Sequence, residues 1–159
     1  MPVKPVLGLF NDEGEFRDYI ENHLYLVEEG LTLIEKEHVL ENQEGSGGRV
    51  DILAKDGLGH IVCIEIKRSD ASARSALNEL SKYIMLLAKR DRLPPEMIRC
   101  VVVSTHWKEL RLPLSFFAES VGVAVTALEA TRSGENIHLE PVELLDTTSL
   151  KPVSYTHLR

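Results

Sequence analysis

One hundred and fifty-nine residues, 43% of them apolar, are enough for one domain with an ordinary core, and no run approaches the roughly 18 apolar residues that span a bilayer. Cys63 and Cys100 are the whole cysteine complement and each sits in an apolar run, so both are expected as buried reduced thiols, which excludes a disulfide framework or a cysteine-ligated zinc. Without a basic, apolar leader the expected address is cytoplasmic, with no membrane partner, and the net charge of −7 at first argues against a polyanionic ligand.

Asn11 and Asp12 precede a helical pattern in which Phe16, Tyr19, Ile20, Leu24 and Val27 recur at helical spacing, with Gly30 as the stop. Asp12 and Glu15 have the spacing of a capping box. Acids in a first helical turn, such as Glu13, are favoured by the helix dipole without any catalytic role. Residues 31–40 read as a strand, in which Leu31 and Leu33 alternate before the charges begin. The Gly-containing run 41–48 reads as a flexible loop, which either covers a site or is a tolerated surface insertion.

The run from Gly48 to Lys67 holds two apolar stretches, 48–54 and 61–67, around a polar, Gly-containing turn at 55–60. This is the pattern of an antiparallel hairpin. Alternation puts Glu65 and Lys67 on one face of the second strand and Ile64 and Ile66 on the other. Asp51 interrupts the apolar run of the first strand, a costly placement for a half-buried carboxylate without a partner. Two readings compete. Either Lys67 forms a structural salt bridge with one of the acids, or Asp51 and Glu65 hold a divalent cation with Lys67 beside it to meet a phosphate or a water.

Ser69 or Asp70 is placed to cap a helix running to about Arg90, with Ala73, Ala76, Leu77, Leu80, Ile84 and Leu87 as its apolar stripe. Glu79 and Tyr83 lie one turn apart at the edge of that stripe, where both can face the hairpin. Residues 98–103 are apolar and β-branched, a buried central strand. Residues 104–107 open a helical connection that Pro113 interrupts or restarts and that ends near Gly122, before a further strand at 123–128. His106 reads as a capping or surface residue. Strand, helix and strand joined by short loops make a parallel crossover, so the sheet is mixed. Residues 137–145 add an edge strand, because Pro141 is incompatible with a central one. The last residues, 152–159, have no periodicity and read as foreign adaptor sequence; the domain is expected over 12–145, with 146–159 as a tail.

An Asp followed one hairpin later by Glu-x-Lys resembles the PD-(D/E)XK nuclease superfamily. Gly48-Arg49-Val50-Asp51-Ile52-Leu53, with Val62-Cys63-Ile64-Glu65-Ile66-Lys67-Arg68, is similar to the nuclease domain of the NucS-type endonucleases. Glu13 to Phe16 and Leu26 to Leu31 resemble the first helix of that family and its exit, and Ala76 to Tyr83 a later helix, so the likeness covers about residues 12–129. It implies an α/β, restriction-endonuclease-like three-layer domain, a mixed central sheet flanked by helices in the order α-β-β-β-α-β-α-β. It further implies a Mg²⁺- or Mn²⁺-dependent endodeoxyribonuclease. In that reading Asp51, Glu65 and the Ile66 carbonyl hold the cation, and Lys67 orients the nucleophile or stabilises developing charge. Glu13 falls on the helix acid of the family, through water or on a second cation, with Glu15 as the alternative. Glu79 stands where the family has Gln, four residues before Tyr83, and both are accessory candidates. A nuclease fold that binds DNA or protein without cutting is the alternative function; the intact Asp51, Glu65 and Lys67 weigh against it.

Charge is unevenly distributed. Asn11 to Glu44 carries eleven acids against Arg17 and Lys36, whereas Lys67 to Arg99 carries eight basic residues against four acids. Arg49, Arg68 and Arg74, with Lys67, are the expected DNA phosphate contacts. About four contacts give modest binding that weakens with salt, at a slope near −0.9 per contact. Effective capture of DNA would then need a homodimer, a further DNA-binding domain or a partner protein, and NucS-type enzymes join this domain to one that dimerises and helps to bind DNA.

Overall fold

A computed structural model of the protein describes residues 7–40, 48–67 and 73–147. Helix α1 spans Glu13–Asn22, and Asp12 caps it by accepting the Glu15 N–H at 2.8 Å. The return half of the expected capping box runs elsewhere, because Glu15 Oε2 accepts from Asn11 Nδ2 at 3.0 Å. The helix also ends well before Gly30. His23 leaves the helical region at φ −135°, its Nδ1 lies 2.7 Å from the Tyr19 carbonyl, and Leu24–Leu26 form a separate 3-10 turn. Leu24 is buried all the same, so the apolar spacing continues through a turn that the helix does not. Gly30, at φ +86°, turns the chain toward the sheet.

Among the described residues six strands form one sheet in sequence order: β1 Thr32–Leu40, β2 Gly48–Lys55, β3 Ile61–Lys67, β4 Ile98–Ser104, β5 Ala124–Ser133 and β6 Asn136–Pro141. Pairing is antiparallel from β1 to β3, parallel from β3 to β5, and antiparallel between β5 and β6. Helix α2, Ala73–Asp91, links β3 to β4, and α3, Arg111–Ser120, links β4 to β5. The expected order therefore holds, and the expected edge strand follows it as β6. Gly48 belongs to β2 and not to the loop before it; residues 41–47 and the proposed caps Ser69 and Asp70 lie outside the described residues. Residues 104–107 are not helical: the Ser104 hydroxyl bonds the His106 N–H at 3.1 Å, and α3 begins only at Arg111, with Pro113 in its first turn where no N–H is required. The edge strand stops at Pro141 and not at Leu145, since Pro has no N–H to donate, while β5 runs on to Ser133 to pair with it. Thr147 is buried, and the tail from residue 148 onward lies outside the described residues.

The sheet is covered on both faces. Phe16 and Ile20 of α1, each fully buried, pack with Ile52, Ile64, Ile66 and Val103 on one side. Burial of two such side chains contributes roughly 1.5–3 kcal/mol each. On the other side Leu77, Leu80 and Tyr83 of α2 and Leu114 of α3 pack with Leu53, Cys63, Cys100 and Val102. Strands β3, β4 and β5 advance in one direction, so both crossover helices fall on one face and α1 is left to cover the other. Cys63 and Cys100 are register partners on adjacent strands, both free and buried, and burial raises both thiols, Cys63 to about 12.

Candidate active site

The ladder between β2 and β3 runs from the turn at Lys55 and Ile61 as far as Ile52 and Ile64. Beyond it a side chain takes over, and the Ile66 N–H donates to Asp51 Oδ2 at 2.8 Å. The Lys67 carbonyl turns the other way and accepts from Thr105 N–H at 3.3 Å on the β4 side. Successive residues of a strand direct their backbone groups to opposite neighbours, so the Ile66 carbonyl, like its N–H, turns toward Asp51. The opening has a local cause in β2. Val50 and Leu53 face the α2 side while Ile52 and Ala54 face the α1 side, so alternation slips around Asp51.

Asp51 and Glu65 are buried together, 8% and 7% exposed. Burial, then the Asp51 charge and a side-chain hydrogen bond between the two, holds the Glu65 carboxyl well above the usual carboxylate range; Lys67 and the Asp51 N–H oppose this without reversing it. Lys67 Nζ stands 4.0 Å from Glu13 Oε1, and the half-exposed Arg49 reaches Asp51 Oδ1 at 3.8 Å. A cavity of about 200 Å³ opens over this cluster. The strands supply Arg49, Asp51, Glu65 and Lys67 to its wall, α1 supplies Glu13, and α2 closes it with Ser75, Ala76 and Glu79.

Six residues expected from the sequence thus converge: Asp51, Glu65, Lys67, Glu13, Arg49 and Glu79. Two do not. Glu15 is turned to Asn11 in the cap and does not line the cavity, and Tyr83 is a fully buried member of the core beneath α2, where burial raises its phenol. Glu79 lies 3.9 Å from Lys82 while still facing the cavity. Arg74 falls in the first turn of α2, Arg68 lies outside the described residues, and His106 is an exposed residue 2.7 Å from the Thr105 hydroxyl. Ser75 went unnoticed in the sequence, although its place four residues before Glu79 puts both on one side of a helix.

Two buried carboxylates lining one cavity, with a carbonyl turned to the same side, are a hard-oxygen donor set that fits Mg²⁺ or Mn²⁺. Among the described residues no three His, Cys, Asp or Glu side chains converge on one point. Glu13 shares the cavity wall with the two carboxylates and meets the site through Lys67 Nζ at 4.0 Å.

Residues 12–139 match the family model for the endonuclease NucS C-terminal domain. The chain belongs to the NucS C-terminal domain family. It is 27% identical over 124 residues to endonuclease NucS of Streptomyces avermitilis, covering 77% of this chain and 50% of that protein. To endonuclease NucS of Beutenbergia cavernae it is 36% identical over 87 residues, covering 53% of this chain and 37% of the relative. This NucS-family chain thus spans half or less of the length of these relatives. Among solved structures the EndoMS–dsDNA2 complex is similar at a TM-score of 0.55 and 21% identity, over 77% of this chain and 46% of that one. A repair endonuclease from Pyrococcus abyssi is similar at a TM-score of 0.53 and 22% identity, over 74% and 47%. At these identities the likeness is one of fold, and it agrees with the mixed sheet and flanking helices described above.

Proposed function

We propose that this chain is a Mg²⁺- or Mn²⁺-dependent phosphodiesterase unit that cleaves DNA internally. The observation that carries the reading is the pair of buried carboxylates Asp51 and Glu65 lining one cavity, with Lys67 on the same strand face. Asp51, Glu65 and the Ile66 carbonyl would hold the cation. When bound, that ion supplies Lewis-acid polarisation of the phosphate and a lowered pKa for a coordinated water.

Lys67 brings a fixed positive charge to a phosphodiester in the cavity, where it orients the attacking water or stabilises the charge developing on the phosphate oxygens. Glu13, at 4.0 Å, holds the ammonium at the mouth of the site. Arg49, half-exposed beside Asp51, is placed to take a neighbouring phosphate. These cations are few, and the acidic N-terminal third opposes them, so DNA capture by this chain alone is weak and a second copy, a further domain or a partner protein supplies the rest. The proteins that share its fold include one solved with double-stranded DNA, which supports DNA as the polyanion. Incubating labelled duplex, mismatched, flap and single-stranded DNA with the purified protein and Mn²⁺ tests the reading: internal cleavage of at least one substrate is expected, and inertness toward all of them contradicts it.

A further inference from the structure

Gly48 opens β2 three residues before Asp51 and is buried against the backbone of α2. A Cβ built on it would lie 2.5 Å from Tyr83 Cα and 2.9 Å from the Lys82 carbonyl carbon, and closer still to the Tyr83 nitrogen. A clash with a side chain can be relieved by rotation. One with helix backbone cannot, and glycine within a strand marks the place where another backbone comes this near. The contact sits at the junction of the two walls of the cavity. Glu79 is one helical turn before Tyr83, Ser75 and Ala76 lie about two turns before it, and Arg49 and Asp51 follow directly on the strand.

We propose that Gly48 is a positioning residue of the carboxylate site: its missing Cβ lets the start of β2 seat on the Lys82–Tyr83 backbone, and that seating fixes where Asp51 stands relative to Glu65 and to the α2 wall. This rests on the reading of Asp51 and Glu65 as cation ligands. When the two backbones are forced apart, the strand yields. Around the contact helix α2 is anchored by Leu77, Leu80, Tyr83 and Ile84, whereas β2 already slips its alternation around Asp51 and leaves the β3 ladder at Ile52. Displacement of the strand carries Asp51 away from Glu65.

The test is Mn²⁺ calorimetry and single-turnover cleavage on the wild type, Gly48→Ala and Leu87→Ala, the last a core truncation remote from the cavity. Gly48→Ala is expected to weaken Mn²⁺ binding about tenfold or more and to slow cleavage at saturating Mn²⁺ about a hundredfold, the scale of a misplacement near 1 Å. Leu87→Ala, although less stable, should keep both values, which separates misplacement from loss of stability. If Gly48→Ala is unfolded in plain buffer, the titration is run in sucrose, which favours the compact state. Wild-type Mn²⁺ affinity in folded Gly48→Ala, or failure to fold even in sucrose, overturns the positioning role and leaves the cation site standing. Absence of Mn²⁺ binding by the wild type overturns both.

Discussion

The backbone N–H of Ile66 donates to Asp51 Oδ2 at 2.8 Å, so one carboxylate both ends the hairpin ladder and faces Glu65. The two tasks can be separated. Asp51→Asn keeps an acceptor for the Ile66 N–H but removes the charge, and should retain near wild-type stability while losing Mn²⁺ binding. Asp51→Ala leaves a buried N–H without its acceptor and should be less stable than Asp51→Asn by about 1–3 kcal/mol, measured by urea denaturation. Equal stability of the two variants would show that the hydrogen bond is not structural.

Glu65 sets a pH dependence of opposite sign to that of an ordinary carboxylate. Its folded pKa lies above the ordinary value of 4.5, so the folded state holds the proton more tightly. The stability this gives is complete below pH 4.5 and declines as pH rises through the folded value. In metal-free protein, Glu65→Gln should therefore gain on the wild type between about pH 5 and pH 8, seen as a rising difference in Tm. Saturating Mn²⁺ should cancel the wild-type deficit at the alkaline end. A difference that does not vary with pH would place the proton elsewhere.

At the far end of the hairpin Arg99 bonds Glu28 at 2.5 and 2.9 Å and Asp56 at 2.9 Å, and Asp56 also accepts from the His60 and Leu58 N–H groups. The Arg99 hydrogen bond holds Glu28 below its ordinary range. Burial pushes Asp56 up, but the bonds from His60, Arg99 and Leu58 outweigh it and hold it well below. For depressed acids the stabilisation is present above the ordinary values of 4.5 and 3.8 and is lost as pH falls through the folded ones. Arg99→Met should therefore lose stability at neutral pH and show a flatter decline below about pH 4.5. Urea midpoints across pH measure this, and an unchanged acid slope would contradict it.

Glu79 occupies the cavity wall where the resemblance places a Gln, and it also lies 3.9 Å from Lys82. If its carboxylate contributes to the field at the cation, Glu79→Gln should weaken Mn²⁺ binding several-fold and improve DNA affinity. If Lys82 neutralises it, neither value moves. The cavity-facing position favours the first outcome, and calorimetry on Glu79→Gln decides.

The hairpin was legible because a carboxylate inside an apolar strand has few explanations, and Asp51 and Glu65 do meet. The sheet order was legible for a similar reason, since 98–103 and 123–128 are apolar runs bounded by breakers. Glu13 and Glu15 could not be separated by spacing; the Asn11 amide, which claims Glu15, is what separates them. The end of α1 was hidden because Leu24 keeps the helical period through a 3-10 turn. Gly48 falls on the shared boundary of the loop 41–48 and the apolar stretch 48–54, and its role is hidden there because the approach of two backbones leaves no mark on residue type beyond the glycine itself.

The most direct test is cleavage of labelled DNA by metal-stripped protein with Mn²⁺ restored, compared across wild type, Glu65→Ala, Lys67→Ala and Lys55→Ala. Lys55 sits at the turn end of β2, away from the cavity. Wild type and Lys55→Ala should cut only after Mn²⁺ is added, while Glu65→Ala and Lys67→Ala should fall by about a hundredfold or more. Cleavage that persists in EDTA, or that survives Glu65→Ala, would contradict the assignment of Asp51 and Glu65 as the cation site of a nuclease.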